Sequence, residues 1–254
     1  MIQIEQNGLQ WLEFELLANY PEVTHAIFTR HGGGSHGAFE SLNLSNSVGD
    51  TLENVEENRQ KIIGALDLPL LITAKQCHGI NIATVTSSAI TEFSECDALM
   101  TQSKNLGLMI LQADCQAAIF YDPTHHALAN VHCGWRGSVQ NIYQHTILQM
   151  KKEFHTKPKD LIVCISPSLG PENSQFINYK TELPESFWEF QTCPNYFNFW
   201  DISEWQLTQA GLLPHHIQIA RIDTFANPQD YFSYRRSNSS SKNTGRQATI
   251  CALA

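Results

Sequence analysis

Two hydrophobic periods alternate along this chain, and together they predict a mixed α/β fold. Short apolar runs rich in β-branched and aromatic residues are typical of strands. They occur at residues 22–30, 70–76, 81–86, 107–112, 116–121, 126–132, 160–165 and 216–222. Segments with apolar residues at helical spacing lie between some of these runs, so strands and helices are expected to alternate.

Three segments carry helix signals. Asp50 and Glu53 have the spacing of a capping box and precede apolar residues that recur every three to four positions. Residues 137–154 carry the clearest apolar stripe. Ser203 with Gln206 fits the start of a third helix. We therefore expect three amphipathic helices, with Asp50 as the cap of the first.

Nothing in the chain marks a boundary between two domains. No proline-rich linker interrupts the pattern, and 254 residues suit one large domain. Residues 237–243 are rich in serine and asparagine and predict a surface loop. We expect a single catalytic domain over residues 1–254.

The charge balance limits the partners and the compartment. The formal net charge of −9 argues against a nucleic-acid partner, because binding its backbone normally requires a basic face. A small anionic substrate remains compatible, since a few arginines can set the local potential. No apolar run approaches the roughly 18 residues of a membrane span, and the N-terminus lacks a secretory signal. We expect a cytoplasmic protein without membrane contact, as a monomer or a weak homodimer.

The cysteines do not predict a disulfide framework. The chain has seven of them, an odd number, and no two form a C-x-x-C pair. Most are therefore expected to be small buried apolar groups.

Three segments place a metal-capable side chain beside small residues at the end of a predicted strand. They are QCHG with His78, ADC with Cys115 and HCGWRG with His132. A catalytic zinc ion takes three such ligands and keeps one position for water. The long separations fit no short zinc-finger pattern, however, and a lone Cys or His more often packs or hydrogen-bonds than binds metal. From the residues alone, both interpretations stay open.

The segments QCHG, ADC, HxGWRG, FTRHGGGS, SLNLS and FSYRR…TGR together resemble the YfiH-like family, also called the multicopper polyphenol oxidase or laccase-domain family. The resemblance runs from about Val23 to the C-terminus. It implies a layered α/β/β/α sandwich in one domain, related to the deamidase domain of cytotoxic necrotizing factors. It also implies a metal triad of His78, Cys115 and His132, with zinc as the expected ion and copper as the alternative. Cys133, where the family commonly has alanine, would add a second thiol close to that metal.

The same resemblance implies a zinc-dependent purine nucleoside phosphorylase. Its substrates would be adenosine, inosine, guanosine and methylthioadenosine, with phosphate as the second small-molecule partner. It also implies hydrolytic deamination of adenosine. Metal-activated water attacks C6 of adenine in other deaminases, although their H-x-E…P-C-x-x-C signature is absent from this chain.

Other functions stay open. The peptidoglycan editing members of the family imply an amidase that cleaves UDP-MurNAc-L-Ser. Zinc could serve that reaction, or Cys115 and His132 could act as a thiol–imidazole pair without metal. The family name implies a copper-dependent polyphenol oxidase, but the 11 histidines include no H-x-H pair of the kind that builds a trinuclear copper cluster. Copper chemistry is therefore expected only as a side activity. A non-enzymatic metal-binding protein would bind metal without turnover.

Two residues beside the triad are candidate catalytic groups. Asp114 could act as general acid or base, or orient a ligand. Because neighbours in a strand point to opposite faces, Asp114 shares the cavity with Cys115 only if the strand ends there. Arg136 lies at a predicted helix start, where an oxyanion could bind. The structural alternatives are a hydrogen bond to the backbone for Asp114 and packing of Arg136 on Trp135.

The candidate substrate or phosphate contacts are four polar residues. Arg30 precedes a turn of three glycines whose N–H groups could cradle an anion. The others are Asn43 in SLNLS, Gln76 in QCHG and Arg235 near the C-terminus. Each could instead serve a turn or the surface.

Overall fold

The structure is a computed structural model that describes residues 1–238 and 243–254. Most of the loop predicted at 237–243 lies outside the described residues. The strands are β1 Ile2–Gln6, β2 Leu9–Glu13, β3 Val23–Phe28, β4 Leu71–Ala74, β5 Ile82–Thr84, β6 Glu92–Phe93, β7 Ala98–Thr101, β8 Gly107–Gln112, β9 Gln116–Asp122, β10 Ala127–Cys133, β11 Ile162–Ile165, β12 Gln191–Cys193, β13 Tyr196–Phe197, β14 Ile217–Ile219 and β15 Gln247–Leu253. The helices are α1 Leu52–Leu66, α2 Trp135–Val139, α3 Ile142–Phe154, α4 Tyr179–Glu182, α5 Phe199–Gln209 and α6 Tyr234–Ser237.

Two large sheets organise the fold. The first sheet has seven strands in the order β1-β2-β3-β15-β8-β4-β6, and the second has six in the order β14-β11-β9-β10-β7-β5. The chain passes from the first sheet to the second three times, between β4 and β5, between β6 and β7, and between β8 and β9. Strands β12 and β13 form a small separate pair.

Three apolar clusters define the layers. One cluster holds residues of both sheets, such as Ile27 of β3 and Ile119 of β9, and fills the space between them. A second cluster joins the first sheet to α1, with Ile62 of the helix against Ile250 of β15. A third packs α3 and α5 on the second sheet. The order helix, sheet, sheet, helix confirms the predicted α/β/β/α sandwich.

The period of two along β10 decides which side chains face the space between the sheets. Leu128 belongs to the inter-sheet cluster, whereas Ala129, Val131 and Cys133 belong to the cluster under the helices. The side chain of His132 therefore points away from that of Cys133 and lies on the face of β10 that is turned towards the first sheet.

Asn130 is a buried polar link between the sheets. Its Nδ2 donates to the carbonyl oxygens of Leu108 and Thr249, at 2.9 and 2.8 Å, and the residue is fully buried. We expect Asn130→Ala to lower the free energy of unfolding by about 3 kcal/mol, because it removes both bonds and leaves a cavity. Denaturant unfolding measures this, and exposed Asn178→Ala should change the value by no more than about 0.5 kcal/mol. Equal losses of unfolding free energy in the two variants would contradict a stabilising role for the hydrogen bonds of Asn130.

The structure corrects three predicted helix boundaries. The cap of α1 is Thr51, whose side chain accepts from the Asn54 amide, and not Asp50. The helix predicted at 137–154 is divided into α2 and α3, because Asn141 adopts a left-handed conformation and caps α3. Helix α5 begins after Asn198, which caps it, so Ser203 lies inside the helix.

Several elements of two to five residues were missed because their apolar patterns are short, and the seven-residue strand β15 was missed as well. Strands β1 and β2 form a terminal hairpin, and β15 pairs with both β3 and β8 in the middle of the first sheet. None of the helices within residues 1–238 and 243–254 is long and apolar enough to span a membrane.

Candidate metal centre

Strand pairing brings the three predicted ligand segments together. Antiparallel pairing of β9 with β10 places Cys133 opposite Gln116, so the end of β10 lies beside the turn that carries Cys115. Parallel pairing of β5 with β7 starts at Ile82 and Ala98. The connection before β5, which carries His78, therefore lies beside the residue before β7.

The side chains of His78, Cys115 and His132 converge. One potential ligand atom from each lies within 4.8 Å of the other two. Cys115 Sγ is 3.9 Å from His78 Nε2, and the two imidazole rings meet edge to face with centroids 4.9 Å apart. Among the described residues, no fourth His, Cys, Asp or Glu joins this group.

Gly134 leaves the space that this convergence needs. A Cβ atom there would lie 2.8 Å from His78 Cδ2 and 3.1 Å from Cys115 Sγ. The close approach of His78 and Cys115 therefore requires glycine at this position, the first glycine of HCGWRG.

We expect Gly134→Ala to weaken metal binding, because the added methyl group displaces both neighbouring side chains. Zinc titration against a chromophoric chelator should show a loss of at least about 10-fold, comparable to the loss of a residue that supports a ligand. Gly64→Ala is the control, since a Cβ there meets open space on α1, and it should stabilise the helix by up to about 1 kcal/mol. Unchanged zinc affinity in Gly134→Ala would contradict the packing argument.

Asp97, which the sequence reasoning missed, links two ligand segments. Its Oδ1 lies 2.7 Å from His132 Nδ1 and accepts from the His78 amide at 2.9 Å. Its Oδ2 accepts from the amides of Gly79 and Cys77, at 2.8 and 3.2 Å. Asp97 is fully buried. The Asp97 carboxylate thus fixes both the loop that carries His78 and the imidazole ring of His132.

The same contact settles which nitrogen of His132 faces the site. Burial opposes the charged form of Asp97, but hydrogen bonds and the charge of His132 lower the pKa of the carboxyl to about 2. An ionised carboxylate on Nδ1 requires a proton there, and Nε2 is left towards Cys115 and His78. A signal was available in the sequence, because Asp97 is an acid placed directly before the apolar strand 98–101.

Cys115 and His132 form a polarised pair. Burial alone would raise the pKa of the Cys115 thiol, but the charge of His132 and hydrogen bonds from both histidines lower it. Burial alone would lower the pKa of His132, and Cys115 and Asp97 together raise it. The site therefore favours a thiolate, which is the form of cysteine that binds metal.

The donor set fits one divalent transition-metal ion. A thiolate and two imidazoles suit zinc or copper, and three protein ligands leave a position for substrate or water. The carboxylate on the far nitrogen of a ligand histidine is the usual support of such a site. Metal binding itself remains a prediction.

Asp114 does not share the triad's cavity as a free acid. It adopts a positive φ of 86° in the turn between β8 and β9, so the strand ends there as required. Its carboxylate, however, accepts from Thr224 Oγ1, Ser233 Oγ and the Arg235 amide, at 2.7, 3.0 and 2.6 Å. Asp114 fastens the C-terminal segment to the turn that carries Cys115.

Two of the three glycine amides in the turn after Arg30 already donate to side chains of the protein. Gly33 N donates to Ser41 Oγ and Gly34 N donates to Asn58 Oδ1. Arg30 itself donates to the carbonyl oxygens of Glu40 and Pro228, and its guanidinium lies 4.6 Å from the centroid of the Phe232 ring. Most groups of the expected anion cradle are therefore bonded within the chain, and an anion site at this turn stays a prediction.

Three other predicted substrate contacts have internal partners. Asn43 is fully buried and bonds Ser45, Asp50 and the Arg246 amide. The Gln76 amide pairs with both backbone groups of Leu111, at 2.8 and 2.9 Å, and so anchors the loop of His78 to β8. Arg235 donates through both terminal nitrogens to Gln175 O. A substrate role for these residues stays a prediction.

Arg136 and Cys133 both make packing contacts away from the three ligand atoms, and a catalytic role for Arg136 stays a prediction. Arg136 is exposed and stacks on the Trp135 ring at 4.2 Å, and helix α2 that it belongs to has five residues. Cys133 is buried with Ile142 and Tyr143 under α3. Its thiol therefore lies on the helix side of the sheet and is not one of the converging ligand atoms.

Comparison with known proteins places the whole site in one family. Residues 24–254 match the family model described as multi-copper polyphenol oxidoreductase laccase. A purine nucleoside phosphorylase of Bacteroides thetaiotaomicron is 30% identical over 93% of this chain and 94% of its own length. The purine nucleoside phosphorylase YlmD of Geobacillus stearothermophilus is 29% identical over 83% of this chain and 84% of its own length.

Solved structures show the same fold. The crystal structure of YlmD from Geobacillus stearothermophilus has a TM-score of 0.88 at 27% identity and covers 99% of this chain and 98% of its own. A Bacillus licheniformis protein named YfiH has a TM-score of 0.88 at 23% identity and covers 98% of both chains.

Proposed function

Because the chain belongs to the multi-copper polyphenol oxidoreductase laccase family, whose curated relatives are named purine nucleoside phosphorylases, we propose that it is a zinc-dependent purine nucleoside phosphorylase. Its substrates are adenosine, inosine, guanosine or methylthioadenosine together with phosphate. We include hydrolytic deamination of adenosine as a second reaction of the same site.

The observation that carries the proposal is the convergence of His78, Cys115 and His132 beside Asp97. Two imidazoles and a thiolate favour zinc, and the absence of a fourth His, Cys, Asp or Glu among the described residues favours an open position. A zinc ion held there supplies Lewis acidity next to the substrate. The residue pattern therefore supports a catalytic site rather than a closed structural one.

The chain's own residues prepare this site in three ways. Asp97 keeps the Nδ1 proton of His132, so that Nε2 faces the ligand group. Gln76 fastens the loop of His78 to β8. Asp114 fastens the segment at 233–235 beside Cys115. These contacts come from distant parts of the chain and fix the geometry before substrate binds.

In phosphorolysis, a phosphate oxygen forms a bond to C1′ of the ribose while the bond from C1′ to N9 breaks. The purine leaves with a proton and ribose 1-phosphate is formed. The protein must therefore hold a nucleoside and an anion at the same time.

Chromatography of the products tests the proposal directly. Purified protein with inosine and phosphate should yield hypoxanthine and ribose 1-phosphate, and adenosine should yield adenine and some inosine. Omitting phosphate at constant ionic strength should stop base release but leave deamination, which needs only water. If none of these products forms, the proposed function is wrong.

One observation favours a second candidate, the amidase. Cys115, His132 and Asp97 stand in the order thiol, imidazole, carboxylate, which is an arrangement used for nucleophilic hydrolysis. Such an enzyme would cleave the amide of UDP-MurNAc-L-Ser without metal. Chelation separates the two, because a thiol hydrolase keeps its activity in excess chelator and the zinc phosphorylase loses it.

A further inference from the structure

Arg246 lies next to the turn that carries Cys115. It directly precedes β15, and antiparallel pairing of Gln247 with Gln112 puts Arg246 beside Ala113. Ala113 is two residues before Cys115. This arginine is the last residue of the TGR segment, and the function proposed above gives it no role.

The backbone around Arg246 is held firmly. Its amide donates to Asn43 Oδ1 at 2.9 Å, and its carbonyl accepts from the Leu44 amide at 3.0 Å. Gly245 before it packs so closely that a Cβ would lie 2.6 Å from the Phe232 ring. The side chain therefore starts from a fixed point beside the triad.

The guanidinium of Arg246 is only partly used within the chain. Nη1 donates to the carbonyl oxygens of Thr244 and Gly245, both at 3.0 Å, and the group lies 5.9 Å from the centroid of the Tyr234 ring. Nε and Nη2 have no hydrogen-bond acceptor among the described residues, and no acidic side chain there forms an ion pair with Arg246. A partly buried guanidinium with unused donors and no directly bonded carboxylate can be stabilised by an external anion that accepts from those donors.

The register of β15 with β8 puts Arg246 near the turn of Cys115, and its guanidinium interacts electrostatically with that residue. Burial lowers the pKa of its guanidinium, whereas the charges of Cys115 and Asp114 raise it, which places all three within electrostatic range. Asp114 already accepts three hydrogen bonds and interacts with the charge of Arg236 as well. The unused donors of Arg246 are therefore available to a ligand.

The other arginines considered as phosphate contacts have different surroundings. Arg30 and Arg235 donate to backbone carbonyls through their side chains. Arg236 does the same, to Thr224, Phe225 and Tyr231. Arg136 is exposed and lies over the ring of Trp135.

We propose that Arg246 is the phosphate-binding group of the site, and that its Nε and Nη2 hold two oxygens of inorganic phosphate beside the triad. A guanidinium matches a pair of phosphate oxygens with two parallel hydrogen bonds. Phosphate as the cosubstrate rests on the proposed phosphorylase function. The anion site itself rests only on the geometry of Arg246.

Calorimetric titration with inorganic phosphate tests the anion site without turnover. At constant ionic strength, with chloride as the competing anion, the purified protein should bind phosphate saturably. Arg246→Gln should weaken phosphate binding at least 10-fold. Arg246→Lys keeps the positive charge but loses the paired donors of the guanidinium, so its phosphate affinity should lie between those of the wild type and Arg246→Gln. Arg221→Gln removes an arginine paired with Asp201 and Glu204 and should leave binding within twofold. Thermal melts identify any variant that fails to fold.

Kinetics then separate the two claims. In phosphorolysis, Arg246→Gln should raise the KM for phosphate at least 10-fold and the KM for inosine less than threefold. An unchanged phosphate KM and unchanged phosphate affinity would overturn the role of Arg246 and leave the phosphorylase function standing. A loss of phosphate affinity in Arg136→Gln and not in Arg246→Gln would also overturn the role of Arg246. Saturable, Arg246-dependent phosphate binding without phosphorolysis would defeat the proposed function and keep the anion site.

Discussion

Cys115→Ser is expected to remove the bound metal and to lower kcat/KM for phosphorolysis by more than about 1,000-fold, which corresponds to about 4 kcal/mol of transition-state stabilisation. Serine keeps nearly the same shape, but its hydroxyl does not ionise near neutrality and is not among the usual ligands of zinc. The change also removes the negative charge that His132 and Arg246 face. Elemental analysis and initial rates measure both effects.

Cys193→Ser is the matched control for this change. Cys193 is an exposed thiol on β12, outside both large sheets, so its replacement should leave metal content and rate unchanged. A Cys115→Ser variant that keeps its metal and more than about a tenth of its rate, a difference under about 1.4 kcal/mol, would contradict the assignment.

Asp97→Asn should have the second largest effect, a loss of about 10- to 100-fold in zinc affinity. One oxygen of the amide can still accept from His132 Nδ1 and the His78 amide. The NH2 group then meets the amides of Gly79 and Cys77, which are donors as well. Whichever way the amide is turned, one set of donors loses its acceptor, so the loop of His78 shifts.

Asp122→Asn controls for the loss of a buried carboxylate. Asp122 is also fully buried and lies 2.8 Å from His125 Nδ1, and it too accepts from backbone amides. It differs from Asp97 in lying at the far end of β9. It should cost stability but leave zinc affinity unchanged, as measured by competition with a chromophoric chelator. Equal losses of zinc affinity in both variants would mean that Asp97 acts only through general stability.

The parts of the fold that the sequence predicted well have strong local patterns. The buried strands β8, β9 and β10 were placed within one or two residues, because each is a continuous apolar run. The family resemblance singled out His78, Cys115 and His132, and the strand pairing brings those three together. Residue spacing alone would not have done so, since two of the three lie on separate connections and His132 lies at the end of β10.

The parts that were missed depend on contacts between distant segments. Asp97 stands in the sequence as an acid before the apolar run 98–101, but its bonds to the loop of His78 form only because the β4–β5 connection folds back over the start of β7. Asn43 and Gln76 look like free amides in sequence, but Arg246 and Leu111 meet them in the fold. Asn141 breaks a long apolar stripe through one left-handed residue, which periodicity does not reveal.

The most direct test of the triad is the metal content of the freshly purified protein. Elemental analysis should find about one zinc ion per chain, as expected for one site with three protein ligands. A variant in which His78, Cys115 and His132 are all alanine should hold none and should release no purine base. Full phosphorolysis by metal-free wild-type protein, or the same zinc content in the triple variant, would contradict a metal centre built from these three side chains.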